Sequence, residues 1–114
     1  MNHELAIIGA GNMAEAIARG LLRAALFSRD QIAAIDPNPD RQRLFTEDLG
    51  IRCDGGKSPA ACDIVVLAVK PFVIAEAIGA IRSKLRPDAL IISIAAGIST
   101  KFLETTVGGT ARVV

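Results

Sequence analysis

A glycine-rich turn near the start of the sequence has the residue types and spacing that a phosphate-binding turn requires. Residues 9–14 follow the pattern G-x-G-x-x-A, after a short apolar run and before an amphipathic stretch. The first glycine permits a tight bend, the second lets a pyrophosphate approach the backbone, and the helix start supplies free N–H groups. The alternative is a turn used only for strand–helix packing. The residues predicted to contact a dinucleotide are Ile8, Gly9, Ala10, Gly11, Asn12 and Met13.

The residues that follow the second apolar run bear on which dinucleotide is bound. Asp36 ends that run, 25 residues after the second glycine of the turn. An acid here accepts hydrogen bonds from the adenosine ribose and repels a 2′-phosphate, which favours NAD. Asn38, Arg41 and Arg43 follow closely and could instead receive the 2′-phosphate of NADP, so both cofactors stay open. The alternative for Asp36 and Asn38 is that they only cap the following helix.

Two later segments follow apolar runs that are typical of buried strands. A parallel sheet binds its ligand beyond the carboxyl ends of the strands, so these segments are expected across the crevice from the glycine-rich turn. Small residues there let a flat nicotinamide ring approach the backbone, although close packing alone also explains them. Lys70 is either a catalytic acid or a solvated lysine whose backbone alone touches the cofactor. The rim residues are Ala68, Val69, Lys70 and Pro71, and then Ala96 and Gly97.

Short apolar runs alternate with amphipathic stretches, and this alternation must position the candidate residues. Strands are predicted over residues 5–8, 32–35, 51–53, 64–69, 90–94 and 111–114. Helices are predicted over residues 12–26, 39–49, 71–85 and 99–106. The pattern predicts an α/β fold, a Rossmann-like doubly wound parallel sheet with helices on both faces. The stripes expected to face the sheet are Met13, Ile17, Leu21 and Ala24 in one helix and Phe72, Ala75, Ile78, Ile81 and Leu85 in another.

The composition excludes several other classes of function. The 114 residues suffice for one domain, and a hydrophobic content of 51% argues against disorder. A net charge of +1 predicts no nucleic-acid partner, and no apolar run is long enough to span a membrane. The start of the sequence lacks the basic segment of a signal peptide, so a cytoplasmic location is expected.

Few side chains in the sequence are suited to chemistry without a cofactor. Cys53 and Cys62 are expected to be reduced, small apolar side chains, and the single histidine, His3, lies near the terminus. No cluster has the spacing of zinc ligands, so no metal site is predicted. Any chemistry is therefore expected to belong to a bound cofactor.

Three segments together resemble pyrroline-5-carboxylate reductase: Ile-Gly-Ala-Gly-Asn-Met-Ala at 8–14, Ala-Val-Lys-Pro at 68–71 and Ser-Ile-Ala-Ala-Gly-Ile at 93–98. The last two are far more specific than the glycine pattern, and their order and spacing match the family. The resemblance implies that residues 1–114 form an NAD(P)-binding domain. The family's carboxy-terminal helical domain, which makes the dimer and much of the substrate pocket, is then absent from this chain. The implied reaction is hydride transfer from NAD(P)H to 1-pyrroline-5-carboxylate, giving L-proline in the last step of proline biosynthesis.

The resemblance also implies roles for the candidate residues. It slightly favours NADPH, and it implies a homo-oligomeric full-length protein. No adenine contact is assigned to the turn at 54–58, because this turn departs from many family members. The implied contacts are residues 8–13 with the pyrophosphate, Asp36 and Asn38 with the adenosine ribose, and Val69, Lys70 and Ala96 with the nicotinamide half.

No catalytic residue carries over from the family, because its substrate-carboxylate and proton-donating groups lie mainly beyond residue 114. Two alternatives to this reductase remain open. One is another imine or β-hydroxyacid reductase that uses NAD(P). The other is a stand-alone dinucleotide-sensing module without chemistry.

Overall fold

The fold is built on a parallel β-sheet. A computed structural model describes residues 4–55, 62–94, 101–103 and 112–114. Six strands lie within these ranges: β1 Leu5–Ile8, β2 Ile32–Ile35, β3 Arg52–Asp54, β4 Ile64–Leu67, β5 Leu90–Ser93 and β6 Arg112–Val113. Their order across the sheet is β3-β2-β1-β4-β5-β6, and all neighbouring strands are parallel. The winding reverses between β1 and β4, which confirms the predicted Rossmann-like, doubly wound sheet.

Helices connect the strands close to the predicted positions. α1 spans Asn12–Arg23, α2 spans Pro39–Arg43 and α3 spans Ile74–Ile81. α2 continues without a break into a π-helical segment, Leu44–Leu49, so the two together match the predicted helix over 39–49. Short 3-10 turns flank α3 on both sides, over Pro71–Val73 and Arg82–Lys84.

Local signals set both ends of the helical region that includes α2. The Asn38 side chain accepts the backbone N–H of Asp40 at 2.9 Å, as an N-cap residue does. Gly50 ends the region with a φ of +70°, a left-handed conformation that glycine adopts at little cost. The Arg29 side chain donates to the last carbonyl of the helical segment at 2.9 Å. Both helix boundaries were predictable because they depend on residues next to them in sequence.

The sheet is covered by helices on both faces. On one face Leu5 and Ile7 of β1 pack with Ala14 and Ala18 of α1 and with Phe45 of the π-helical segment. On the other face side chains from the central strands pack against α3. The buried residues of that second layer are Ile8, Val65, Leu67, Ile74, Ile78, Ile81, Ala89, Ile91 and Leu103. Alternate residues of the central strands thus enter opposite layers, as the pleat of a strand requires.

The face of α1 that meets the sheet differs from the predicted stripe. The fully buried positions of α1 are Ala14 and Ala18, with Ile17 and Leu21 packed beside them. Met13, the first residue of the predicted stripe, is 61% exposed. Small side chains let this helix lie close to the strands, so its contact line is centred on alanines rather than on the largest apolar residues.

The predicted stripe of the third helix was wrong at its start. Phe72 is 85% exposed, and the buried position in the first turn of α3 is Ile74 rather than Ala75. The 3-10 turn before α3 has three residues per turn, so it shifts the phase of the pattern before the α-helix begins. From Ile78 onward the prediction is confirmed, because Ile78 and Ile81 are both buried.

Candidate functional site

The glycine-rich turn joins β1 to α1 and touches the end of β4. Gly9 has a φ of +102°, which side chains other than glycine rarely permit. A Cβ atom at Gly9 also comes within 2.9 Å of the Ala68 carbonyl oxygen and 3.1 Å of a methyl carbon of Val69. Both the backbone conformation and the close approach of the segment after β4 therefore require glycine at this position.

Gly11 faces open space instead of a neighbouring element. A Cβ atom built there has no heavy atom within 4 Å apart from its chain neighbours. The N–H of Glu15 donates to the Gly11 carbonyl at 2.9 Å, which is the first hydrogen bond of α1. The N–H groups of residues 12–14 therefore precede the first intrahelical donor, and they are the donors that a helix start offers to an anion. The backbone beside Gly11 has the room and the donors that a phosphate group needs.

Asp36 ties the end of β2 to this turn. Its Oδ2 atom accepts the backbone N–H of Ala10 at 2.8 Å, and its Oδ1 atom accepts the N–H of Asn38 at 2.8 Å. Asp36 therefore does more than begin the next helix, whose first turn is capped by Asn38. A carboxylate has room for further hydrogen bonds beyond these two, so the group can still accept from a ribose hydroxyl.

The two arginines predicted as alternatives for a 2′-phosphate are both engaged with acidic side chains. Arg41 donates from Nη2 to Glu15 at 2.9 Å, and its Nε donates to the carbonyl oxygen of Ala10. Arg43 is exposed and lies 3.4 Å from Asp40 and 3.8 Å from Glu47. A 2′-phosphate at this site must therefore compete with carboxylates for either guanidinium.

Glu15 forms ion pairs with two arginines on this side of α1. Its second carboxylate oxygen accepts from Arg19 at 2.9 Å, one helical turn away. Hydrogen bonds from Arg19 first, and then from Arg41, lower the pKa of the Glu15 carboxyl below its ordinary value. Glu15 is therefore ionised at neutral pH and pairs with the arginine that touches the glycine-rich turn.

Two adjoining clefts open along the carboxyl ends of the central strands. The larger has a volume of about 480 Å³, the smaller about 280 Å³, and Gly9, Asp36, Val69 and Val73 line both. The larger cleft is also lined by Gly11, Asn12, Met13, Ala68, Lys70, Pro71 and Ile94. The smaller is also lined by Ile8, Ile35, Pro37, Gly55, Glu76, Ala77, Ala80 and Ile81. Together they form a continuous site across the point where the winding of the sheet reverses.

The structure brings most of the predicted site residues together. Ten of the fourteen line one or both clefts, from the glycine-rich turn on one side to the segment after β4 on the other. Ala10 is fully buried and Asn38 lies on the surface, and neither lines a cleft. Ala96 and Gly97 lie outside the described residues.

One side of the smaller cleft was not predicted from the sequence; it is formed by α3 and by the turn after β3. Ala77 and Ala80 lie three residues apart on α3 and line this cleft, together with Glu76 of the same helix. Gly55 lines it from the turn after β3, to which no contact was assigned. Small residues spaced three apart, on a helix whose other face is isoleucine-rich, were the available signal. The spacing can be interpreted only when the rotation of α3 about its axis is known, and the 3-10 turn before α3 sets that rotation.

The described residues offer little other machinery for chemistry. Cys53 and Cys62 are buried thiols outside any disulfide, and burial raises the pKa of each to about 11, so they are protonated side chains. No group of three or more His, Cys, Asp or Glu side chains in the described ranges is arranged to hold a metal ion. No helix among those residues is long and apolar enough to cross a bilayer.

Comparison with known protein families agrees with this geometry. The sequence matches the model of the family described as NADP oxidoreductase, coenzyme F420-dependent, over residues 4–97. The chain belongs to this family. The matched range contains the glycine-rich turn, Asp36 and the segment after β4, and so the whole rim described above.

The curated relatives of this NADP oxidoreductase family chain include pyrroline-5-carboxylate reductases. That of Haemophilus influenzae is 38% identical over 116 aligned positions, which cover all of this chain and 42% of the relative. That of Pisum sativum is 34% identical over 109 positions, covering 94% of this chain and 40% of the relative. The chain therefore spans less than half the length of the curated relatives that it matches.

Solved structures show the same relationship. A pyrroline-5-carboxylate reductase from Coxiella burnetii aligns with a TM-score of 0.88 at 31% identity, over 97% of this chain and 42% of that one. The Plasmodium falciparum pyrroline carboxylate reductase with NADP bound aligns with a TM-score of 0.77 at 25% identity, over 97% and 40%. These matches confirm the resemblance to pyrroline-5-carboxylate reductase, the fold class and the prediction of an NAD(P) cofactor.

Proposed function

We propose that residues 1–114 are the NAD(P)H-binding domain of a pyrroline-5-carboxylate reductase. The observation that carries the proposal is the open space beside the Gly11 backbone, at the start of α1 and inside the larger cleft. A dinucleotide pyrophosphate fits that space by charge and by hydrogen bonding. The similarity to pyrroline-5-carboxylate reductases along the whole chain supports the choice of this reductase over related enzymes.

The two clefts suit the two halves of the cofactor. The turn at 8–13 holds the pyrophosphate, and Asp36 accepts hydrogen bonds from the adenosine ribose. The smaller, largely apolar cleft between Pro37, Gly55 and α3 takes the adenine ring. The larger cleft takes the nicotinamide half along the segment from Ala68 to Pro71. The expected contacts of Asn38, Ala96 and Gly97 remain part of the proposal.

When bound, the reduced cofactor would supply the chemistry: a hydride from C4 of the nicotinamide would add to the C=N carbon of 1-pyrroline-5-carboxylate, and the nitrogen would take up a proton from water. This chain's own residues bind and orient. The apolar side chains of Val69, Val73 and Ile94 line the larger cleft and limit the access of water to it. Lys70 is exposed on the rim and contributes its backbone rather than a proton.

Several properties of the full-length protein belong to the same proposal. Its substrate is the small molecule 1-pyrroline-5-carboxylate, and its product is L-proline. It is a cytoplasmic homo-oligomer, and it binds neither nucleic acid nor membrane. The substrate pocket and the oligomer contacts are provided mainly by chain beyond residue 114, so the 114 residues alone bind the cofactor but turn over little substrate.

The decisive experiment compares two glycine substitutions, one at the start of α1 and one within the same helix. Gly11→Val fills the open space beside the turn, whereas Gly20→Val adds the same side chain at a position on α1 that is also open but lines neither cleft. Titration of NADH and NADPH by fluorescence is expected to give binding to the wild type and to Gly20→Val, and weakening by at least about tenfold in Gly11→Val. Unchanged affinity in a folded Gly11→Val protein contradicts the proposed site.

The reductase assignment has a separate test. Proline formation from 1-pyrroline-5-carboxylate and NAD(P)H is measured for the 114 residues and for the full-length protein. Turnover by the full-length protein alone is expected. A full-length protein that binds NADPH but reduces another imine, or reduces nothing, overturns the reductase assignment and leaves the cofactor site intact.

A further inference from the structure

Ala10, the residue between the two glycines of the turn, has both of its backbone polar groups bound by side chains of the β2–α2 region. Ala10 donates its N–H to Asp36 at 2.8 Å, and its carbonyl oxygen accepts from Nε of Arg41. Ala10 itself is fully buried. We infer that Arg41 is a positioning residue: it holds the Ala10 carbonyl away from the cleft and so directs the Gly11 N–H toward the bound pyrophosphate. This inference rests on the proposed function.

The direction follows from the geometry of the peptide bond. In a planar trans peptide the carbonyl oxygen and the following N–H point to opposite sides. Arg41 lines neither cleft, whereas Gly11 lines the larger one. Anchoring the Ala10 carbonyl on the Arg41 side therefore turns the Gly11 N–H to the opposite side, where the space beside Gly11 is open.

The anchor matters because Arg41 is the side chain that binds the carbonyl of the Ala10–Gly11 peptide. Glycine on both sides of Ala10 permits backbone conformations that other residues resist. A rotated Ala10–Gly11 peptide points its carbonyl, with its partial negative charge, at the phosphates in place of a donor. A side chain that fixes the carbonyl removes that alternative before the ligand arrives, which lowers the cost of binding.

Arg41 is itself held in place by a second contact. Its Nη2 donates to Glu15 at 2.9 Å, and Glu15 also accepts from Arg19 at 2.9 Å. The side chains of Arg41 and Glu15 are 23% and 22% exposed, so the pair is largely covered. The contact needs a fork with two donors, one for a carbonyl and one for a carboxylate, which arginine has and lysine lacks. Because Glu15 balances its charge, Arg41 acts chiefly through the backbone rather than by direct attraction of phosphate.

The test compares ligands with and without phosphates. The dissociation constants of NADH and of adenosine are measured for the wild type, Arg41→Met, Arg41→Lys and Arg43→Met, with adenosine followed by NMR titration. Arg43→Met is the matched control, since Arg43 is two residues away on α2, is exposed and pairs only with surface carboxylates among its described contacts. A urea unfolding curve for each variant checks that it is folded.

We expect Arg41→Met to weaken the binding of NADH by about tenfold, which corresponds to one charge-assisted hydrogen bond. The dissociation constant of adenosine is expected to change by less than about twofold. Arg41→Lys is expected to lie between Arg41→Met and the wild type, and Arg43→Met to match the wild type for both ligands. Equal weakening of NADH and adenosine in Arg41→Met, or no weakening of NADH, overturns the positioning role while leaving the proposed function standing. A wild-type chain that binds neither ligand overturns the proposed function and the positioning role together.

Discussion

The carboxylate of Asp36 and the backbone N–H of Ala10 form a hydrogen bond of 2.8 Å that joins the end of β2 to the glycine-rich turn after β1. The second carboxylate oxygen accepts the N–H of Asn38 at the same distance. Two backbone donors thus fix one negative charge at a position that lines both clefts. The charge lies where the adenosine ribose is proposed to bind, so it bears directly on the choice between NADH and NADPH.

Removing the charge of Asp36 should change cofactor preference. Asp36→Asn keeps an oxygen acceptor at the same place but no longer repels a 2′-phosphate. The affinity for NADPH relative to NADH is expected to rise by about tenfold, the effect of one nearby charge. Both ligands are titrated at one salt concentration, because salt screens the extra phosphate charge. Asp40→Asn, at an exposed position on α2, serves as the control, and an unchanged ratio in Asp36→Asn speaks against the ribose assignment.

Adding a single methyl group at Gly9 should destabilise the fold. The left-handed φ of +102° and the 2.9 Å approach to the Ala68 carbonyl oxygen both oppose a Cβ atom. Gly9→Ala is expected to lower the free energy of unfolding by about 3 kcal/mol, measured by urea denaturation. Gly20→Ala, in the open interior of α1, is expected to raise it by about 0.5–1 kcal/mol, because alanine favours helix. A Gly9→Ala protein as stable as the wild type is incompatible with this turn geometry.

Two phenylalanines offer a matched test of the core. Phe45 is fully buried in the core layer that also contains residues of α1 and β1, whereas Phe72 is 85% exposed before α3. Phe45→Ala leaves a cavity and is expected to cost about 3–5 kcal/mol of unfolding free energy. Phe72→Ala is expected to change it by less than about 0.5 kcal/mol. Equal effects of the two substitutions in thermal or urea unfolding contradict the burial of Phe45 and the exposure of Phe72.

Glu15 should make stability depend on pH in the acid range. Its folded-state pKa is lowered by Arg19 and Arg41, so the contribution is fully present above 4.5, the ordinary value, and is lost as pH falls through the lowered value. Glu15→Gln is therefore expected to be less stable than the wild type at pH 7, with the difference shrinking as the pH is lowered below 4.5. Urea midpoints across this range measure the difference. Glu47→Gln changes the net charge equally and controls for general charge effects. A loss of stability in Glu15→Gln that persists unchanged at low pH argues against the ion pairs of Glu15 with Arg19 and Arg41.

Much of the fold was predictable because its signals are local. The apolar run before Gly9, the N-cap at Asn38 and the left-handed Gly50 depend on residues within one helical turn of each other. The parallel order of the strands followed from the alternation of strands and helices, since each right-handed crossover places the next strand beside an earlier one. Only the start of the apolar stripe of α3 was not predictable from residue spacing, because the 3-10 turn at 71–73 shifts the phase; Ile78 and Ile81 were predicted correctly.

The candidate site likewise has features that were predictable from local sequence and features that were not. The glycine-rich turn, the acid at the end of β2 and the rim after β4 were all predictable, because each is a short segment whose position at a strand end is set by the local pattern. The hydrogen-bond partners of these segments were not predictable: Arg41 and Ala10 are 31 residues apart in sequence, and Ala10 and Asp36 are 26 apart. Such contacts depend on how the β2–α2 region lies against the turn after β1, which no local spacing encodes. For that reason Arg41, which the sequence pattern predicted as a possible ligand of a 2′-phosphate, instead binds the backbone of the glycine-rich turn.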